Sequence, residues 1–345
     1  MTGSHTSPAR GGGSRRLTEG QTQATSPVTA PPGTYVPPPR SGEVEKVRST
    51  TLAVLIPFAV VTLIWSSTWI VIRGQLGVVP PSWSVTYRFL VAAAVLAAWA
   101  AAKRESFRLD ARGLLLAVAL GVFQFALNFN FVYRAEGFIT SGVVAVVFAL
   151  LLVPNALLSR IFLGQRMGWQ LLAGSAVAVC GVSLLFLHEI RADPHGSARA
   201  VAGIGFTLAG VLSASCANVM QATATAKRYP MLATTATAML LGALIDGAYA
   251  WVTTGPPVFD ARASYVAGIL YLGVFASALA FPLYFGVLRT IGPAKAAYSS
   301  VIVPVIAMLL STVFEGYRWT LLTAFGAALA GVGLVIALTA RRPSR

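Results

Sequence analysis

The stretch from Thr51 to Ile72, TLAVLIPFAVVTLIWSSTWIVI, carries no charged residue. Wound as an α-helix at 1.5 Å per residue, it is long enough to cross a hydrocarbon core of about 30 Å. Downstream, nine further apolar stretches of similar length cover about 82–101, 113–133, 138–158, 167–187, 201–223, 231–252, 264–286, 293–313 and 319–339. The breaks between them hold turn-forming residues, among them Val79-Pro80-Pro81, Arg134-Ala135-Glu136-Gly137, Tyr229-Pro230, Gly255-Pro256-Pro257 and Glu315-Gly316. Lipid offers the backbone no hydrogen-bond partners, so each long run must be helical.

Composition agrees. Of 345 residues, 56% are hydrophobic and 11% charged, with a mean hydropathy of +0.72. A soluble domain would carry roughly a quarter of its residues as charges, so that class is excluded. Residues 1–49 differ from the rest: Gly11-Gly12-Gly13, Pro37-Pro38-Pro39 and abundant Ser and Thr predict a disordered, cytoplasmic tail. It lacks the short apolar core and small-residue cleavage site of a secretory signal.

The formal charge of +15 would suggest nucleic acid in a soluble protein. Placed segment by segment, it instead predicts topology. With the N-terminus inside, 18 of the 26 Lys and Arg residues fall on the cytoplasmic side and six outside (Arg73, Arg134, Arg191, Arg199, Arg262, Arg318), while Arg88 and Lys295 lie within helices. Both termini are therefore expected in the cytoplasm. Trp83, Trp169, Trp251 and Trp319 fall near helix ends, where headgroups favour indole rings.

Ten helices divide into five plus five, and an odd number per half inverts the second half. Gly142 and Pro154 recur as Gly292 and Pro304; Gly174, Ala178 and Gly181 recur as Gly326, Ala330 and Gly333. The expected fold is all-α and integral to the membrane, with ten transmembrane helices as two inverted five-helix repeats, an architecture that places substrate between the halves.

Several of these residues resemble the EamA domain of the drug/metabolite transporter superfamily. They are Ile64-Trp65-Ser66-Ser67-Thr68-Trp69, Pro80-Pro81, Tyr87-Arg88-Phe89, Tyr271-Leu272-Gly273-Val274, Ser277-Ala278-Leu279-Ala280-Phe281, Gly292-Pro293-Ala294, Val303-Pro304, Phe314-Glu315-Gly316 and Gly326-Ala327-Ala328-Leu329. The resemblance implies EamA repeats over 50–188 and 200–340 and a multi-pass permease of a bacterial inner membrane, often an exporter of amino acids or other metabolites. The chain departs at Gln165-Arg166, where the family often reads Glu-Arg, and its first helix lacks the acid of the small multidrug members.

Candidate pathway residues are the polar and aromatic groups inside the apolar runs, because each needs a reason to be there. Trp65, Ser66 and Trp69 fall in the first helix, Asn128, Asn130 and Tyr133 in the third, Ser215, Asn218 and Gln221 on one stripe of the sixth, and Tyr284 and Tyr298 in the eighth and ninth. Each also has a structural reading: amides as interhelical glue, aromatics as packing. Arg88 and Asp246 lie at similar depth, about 9 Å below one surface. They permit a salt bridge, independent snorkelling or, if unpaired, a substrate-carboxylate contact at Arg88 and proton exchange at Asp246. Lys295 is expected to snorkel. Pro154 and Pro304 are helix-kink candidates, with Pro57 and Pro282 beside them.

Cys180 and Cys216 lie in apolar runs, and His5, His188 and His195 in polar segments without ligand spacing, so no metal and no cofactor are expected. No Gly-rich phosphate loop with a Lys indicates ATP drive. The expected function is a secondary transporter exporting a small metabolite by alternating access, through a cavity lined by helices 1, 3, 6 and 8 and parts of 2, 7 and 9. The expected partners are the substrate and the bilayer, with a homodimer left open and no nucleic acid. The competing classes are a membrane enzyme, short of acids beyond Asp246, Glu136 and Glu315, and a receptor or scaffold using the tail.

Overall fold

The structure is a computed structural model that describes residues 41–165, 168–192, 197–291, 296 and 299–338. Val47–Arg345 forms one compact unit. The tail expected over 1–49 lies, up to residue 40, outside the described residues, as do Lys295 and Tyr298. Among the described residues all regular structure is helical.

The long helices are α1 (Ser41–Arg73), α2 (Pro81–Ala102), α3 (Ala111–Glu136), α4 (Ser141–Leu163), α5 (Trp169–Ala192), α6 (Ser197–Ala222), α7 (Met231–Thr254) and α8 (Ala263–Ile291). Each contains a segment long and apolar enough to cross a membrane, making eight such spans among the described residues. Two shorter apolar helices follow, α9 (Ser299–Phe314) and α10 (Leu321–Leu338).

Local sequence sets many boundaries. Pro80 and Pro81 open α2, and Pro230 opens α7, at positions where a missing N–H costs no intrahelical bond. Asp110 caps α3 by accepting the Gly113 N–H at 2.8 Å. Gly164 ends α4 in the left-handed region at φ 65°, which glycine enters without a Cβ clash. Pro154 lacks the N–H that would bond back one turn, and α4 tightens to a 3₁₀ turn at Ala149–Leu151 just ahead of it.

Packing pairs helices from the two halves: α2 with α7, α4 with α9, α5 with α10, and α3 with both α6 and α7. The α5–α10 contact is the tightest. A Cβ placed on Gly181 would lie 2.6 Å from the Gly326 carbonyl oxygen, and one on Gly333 would lie 2.6 Å from that of Gly174. The small-residue faces noted in the sequence therefore meet each other, backbone on backbone.

Two features went unread in the sequence. Asp110-Ala111-Arg112 recurs 150 residues later as Asp260-Ala261-Arg262, the first opening α3 with Asp110 as its cap and the second just ahead of α8. Inside those same helices the turns widen to π-helix, at Gly121–Leu127 and Tyr271–Leu279. One expectation is corrected: Trp83 is buried, its indole N–H reaching the Gly255 carbonyl at 3.3 Å, so it ties α2 to the end of α7 instead of sitting among headgroups.

Candidate transport cavity

A cavity of about 100 Å³ lies between the helices, with Trp65, Thr68 and Trp69 of α1, Arg88 of α2, Gln124, Asn128 and Phe129 of α3, Phe148 and Ala149 of α4, Asn218 of α6, Phe281 and Tyr284 of α8 and Pro304 of α9 on its wall. Compared with the expected lining, α4 is added and α7 contributes nothing. The reason is Asp246: its side chain faces α3, where it accepts from the Asn130 amide, away from the cavity.

Among the described residues Arg88 is the one charged group on this wall, and it is 1% exposed. Its Nε donates to Ser277 Oγ at 3.0 Å, and its guanidinium lies 4.2 Å from the centroid of the Phe129 ring. That leaves Nη1 without a hydrogen-bond acceptor in the protein. The indole N–H of Trp69, Gln124 Oε1 and Asn128 Oδ1 are likewise buried without partners. A buried polar group left unbonded costs on the order of 1–3 kcal/mol, so these four make the cavity wall the candidate ligand-binding surface. The set is chemically divided: two donors suited to an anionic group and two carbonyl acceptors suited to a cationic one.

Aromatic rings shape the rest. Trp65 packs against Tyr284 and Phe281, with centroids 4.9 and 5.3 Å away, and Trp69 against Phe148 at 5.5 Å. The π segment of α8 matters here. Its altered register leaves the Ala276 carbonyl to accept the Trp65 indole N–H at 3.1 Å and presents Ser277 to Arg88. Such π insertions cost regular hydrogen bonding and cluster at functional positions.

The sequence candidates thus separate. Trp65, Trp69, Arg88, Asn128, Asn218, Tyr284 and the kink residue Pro304 share the cavity. Ser66 turns inward along its own helix to the Thr62 carbonyl at 2.6 Å. Tyr133 donates to Gln75 Oε1 at 2.8 Å, and Asn130 accepts from Ser82 at 2.7 Å. The α6 stripe divides: Asn218 reaches Asn155 of α4 at 3.5 Å beside the cavity, while Gln221 accepts from Arg289 at 2.8 Å. Pro154 stands half-buried behind the 3₁₀ turn whose Ala149 and Leu151 line the wall.

The Arg88–Asp246 salt bridge is not formed, and neither group snorkels, Asp246 being 2% exposed. Equal depth brought them to one level of the bundle, but Arg88 points to α8 and Asp246 to α3.

Sequence reasoning also missed a cluster at one end of the bundle, which we term the Arg73 end. Arg73 of α1 donates to the Glu136 carbonyl and pairs with Glu315 at 3.5 Å. Glu315, just beyond α9, accepts from the Ser141 N–H at 3.2 Å, from Ser141 Oγ at 2.8 Å and from Ser311. It caps the start of α4 from the other half of the chain. Glu136 and Glu315 read as loop-edge acids because each stands next to a sequence break; burial by distant helices is what changes them.

The profile of the EamA-like transporter family matches residues 52–187 and again 201–339. The chain belongs to the EamA-like transporter family. The resemblance read from Ile64–Trp69 and Tyr271–Phe281 is borne out, and the protein is a multi-pass membrane transporter, not an enzyme. Relatives include Protein PagO of Salmonella typhimurium, 24% identical over 79% of this chain and 87% of its own length. A second, named Probable terminal-alkyne amino-acid exporter, comes from Streptantibioticus cattleyicolor and is 27% identical over 64% of this chain and 70% of its own. A solved crystal structure superposes with a TM-score of 0.63 at 22% identity, covering 83% of this EamA transporter and 96% of that chain, which speaks to fold alone.

Proposed function

We propose that the protein is a secondary carrier that exports a small zwitterionic metabolite, an amino acid first among candidates, by alternating access. In this reading α1–α10 all cross a bacterial inner membrane as two inverted five-helix repeats, with both termini cytoplasmic and the Arg73 end outside. The count of 18 basic residues on one side against six on the other supports that orientation. Repeats at 52–187 and 201–339 support the division.

One observation carries the substrate class. The cavity sets Arg88 Nη1 and Trp69 Nε1 near Gln124 Oε1 and Asn128 Oδ1, all unbonded within the protein. A carboxylate on the first pair and an ammonium on the second would satisfy all four, with the side chain against Trp65, Phe148 and Tyr284. The space of about 100 Å³, at about 30 Å³ of liquid volume per water, holds roughly three waters, so in this conformation it admits only the smallest metabolites. The relative named as an amino-acid exporter points the same way. Pro304 and the 3₁₀ turn of α4 border the cavity and supply places where helices bend between states.

Counterflow in proteoliposomes loaded with a mixture of labelled L-amino acids tests this. Wild type should exchange at least one of them, and Arg88→Ala should lower that exchange by about 100-fold, the cost of truncating one side of a buried charged contact. Absence of exchange for every amino acid, or an unimpaired Arg88→Ala, would overturn the reading.

A further inference from the structure

Glu136 ends α3 with 0% of its surface exposed, and neither oxygen of its carboxyl group meets a hydrogen-bond donor. It is the most thoroughly isolated acid among the described residues. The groups around it are largely committed elsewhere. From α1, Arg73 serves Glu315 and the Glu136 backbone carbonyl. From α2, Arg88 serves Ser277 and the Phe129 ring. From beyond α9, Glu315 takes Ser141, Ser311 and Arg73. On α3 itself Tyr133 donates to Gln75 and Arg134 to Tyr249 of α7, while Arg199 of α6 reaches the Gly137 carbonyl. Glu136 interacts electrostatically with Glu315, Arg73 and Arg88, which puts it between the clamp at this end and the cavity arginine.

A bare carboxylate is tolerated in such surroundings only with donors or a dedicated counter-charge, whereas a neutral carboxyl is tolerated without them. Under the alternating-access reading, opening of the Arg73 end would separate Arg73 from Glu315 and admit water to Glu136.

We propose that Glu136 is the proton-binding site of this carrier, taking up one proton from the adjoining aqueous phase as the Arg73 end closes and releasing it as that end opens. The step is a plain transfer: an O–H bond of hydronium breaks, an O–H bond forms on a Glu136 oxygen, water departs, and nothing is oxidised or reduced. The proton is then the coupling ion. Its site is at the end of α3 and not on α1 or at Asp246, and its charge reaches Arg88, where substrate binds. The inference rests on the carrier reading above.

The test uses the full chain in lipid nanodiscs with Cys180 and Cys216 replaced by Ala and spin labels at Val78→Cys and Arg318→Cys, two exposed positions beyond α1 and α9. In the parent protein, raising pH should shift the measured distance distribution toward a longer, open population, about tenfold in ratio per pH unit for one proton. Glu136→Gln, permanently neutral, should show one closed-to-open ratio, favouring closed, that pH does not move, while Asp246→Asn should behave as the parent. A parent distance indifferent to pH, or a Glu136→Gln protein that still shifts, overturns the proposal.

Should Glu136→Gln fail to assemble, pH-difference infrared spectroscopy decides. A protonated-carboxyl band that persists in Asp246→Asn supports Glu136, and its loss there assigns the titration to Asp246. In proteoliposomes, counterflow of the labelled amino-acid mixture without a pH gradient reads the carrier function alone. Glu136→Gln should keep that exchange and lose about tenfold or more of proton-gradient-driven accumulation. Parent counterflow that no pH gradient accelerates leaves the carrier standing and sinks the proton site.

Discussion

The two ends of the bundle are built from equivalent positions 150 residues apart, yet among the described residues only the Arg73 end has an ion pair between the halves. One tie falls at equivalent positions with different chemistry: the Trp83 indole N–H reaches the Gly255 carbonyl at the Arg73 end, and at the other end their counterparts meet with the Ala233 backbone N–H donating to the Glu105 carboxylate at 2.9 Å. The clamp residues do not correspond. Arg73, Glu136 and Glu315 have Thr223, Gly286 and Gln165 as counterparts. Thr223 caps the one-turn helix Ala224–Lys227 and Gln165 is exposed. Shared backbone geometry can therefore make two conformations accessible while side-chain charge at one end sets which is favoured and what must be broken to leave it.

The largest effect should come where the halves are most alike. Gly181→Ala and Gly333→Ala each push a methyl group to within 2.6 Å of a carbonyl oxygen across the α5–α10 contact. Each should cost about 3 kcal/mol, the upper range for overpacking, seen as loss of stability in denaturant titrations of the purified protein. Equal losses sharpen the equivalence of α5 and α10. A loss confined to one glycine breaks it.

Next in size is the clamp. Glu315→Ala removes the acceptor for Ser141 and Ser311 and frees Arg73. With charged hydrogen bonds worth about 1.5–3 kcal/mol, the closed-to-open ratio at the Arg73 end should fall on the order of 100-fold. A cysteine placed at Thr68 on the cavity wall, reacted with a membrane-impermeant maleimide, reads this as faster labelling. An unchanged rate would mean that backbone packing alone closes this end.

Some of this asymmetry was legible in the sequence and some was not, for physical reasons. Apolar runs announce spans because the bilayer imposes length, so the segments around 52–72 or 231–252 are read directly. Gly174, Gly181, Gly326 and Gly333 were readable as close-packing faces, since small residues have few other uses on such helices. The π turns of α3 and α8 have no sequence period and arise from packing against neighbours. Arg88 stood out as an embedded charge, but its partner stayed open: depth along a helix follows from residue counting, whereas direction around the helix depends on tilt and on what lies opposite. Glu136 and Glu315 were passed over for a related reason, since nearness to a break in the chain does not reveal that the far half covers it.

A smaller effect tests whether charge at the matching loop is what distinguishes the ends. Gln165→Glu restores at the second end the acid that Glu315 supplies at the first. Because position 165 is exposed, the gain is that of a surface charge, a fraction of a kcal/mol. The maleimide rate at Thr68→Cys should rise about threefold, as closure of the second end is favoured and the first opens more often. Slower labelling would reverse the assignment of which end this loop secures.

The smallest effect concerns the repeated Asp-Ala-Arg at 110–112 and 260–262, alike in sequence and different in partner. Asp110 is held below the usual carboxylate range first by the Tyr229 hydroxyl and then by the Gly113 N–H, and Asp260 by Arg262, 2.6 Å away. A depressed folded-state value means that the stabilisation is present above the unfolded carboxylate value, about 4, and is lost as pH falls through the folded one. Asp110→Asn should therefore lower the thermal midpoint slightly at neutral pH, and its difference from wild type should close as pH drops below about 4. Tyr229→Phe removes the leading cause and should give part of the same loss, whereas Asp260→Asn should be insensitive to it. If the Asp110→Asn difference were the same at pH 7 and pH 3, the cap would be acting through shape and not charge, and the two Asp-Ala-Arg turns would be equivalent after all.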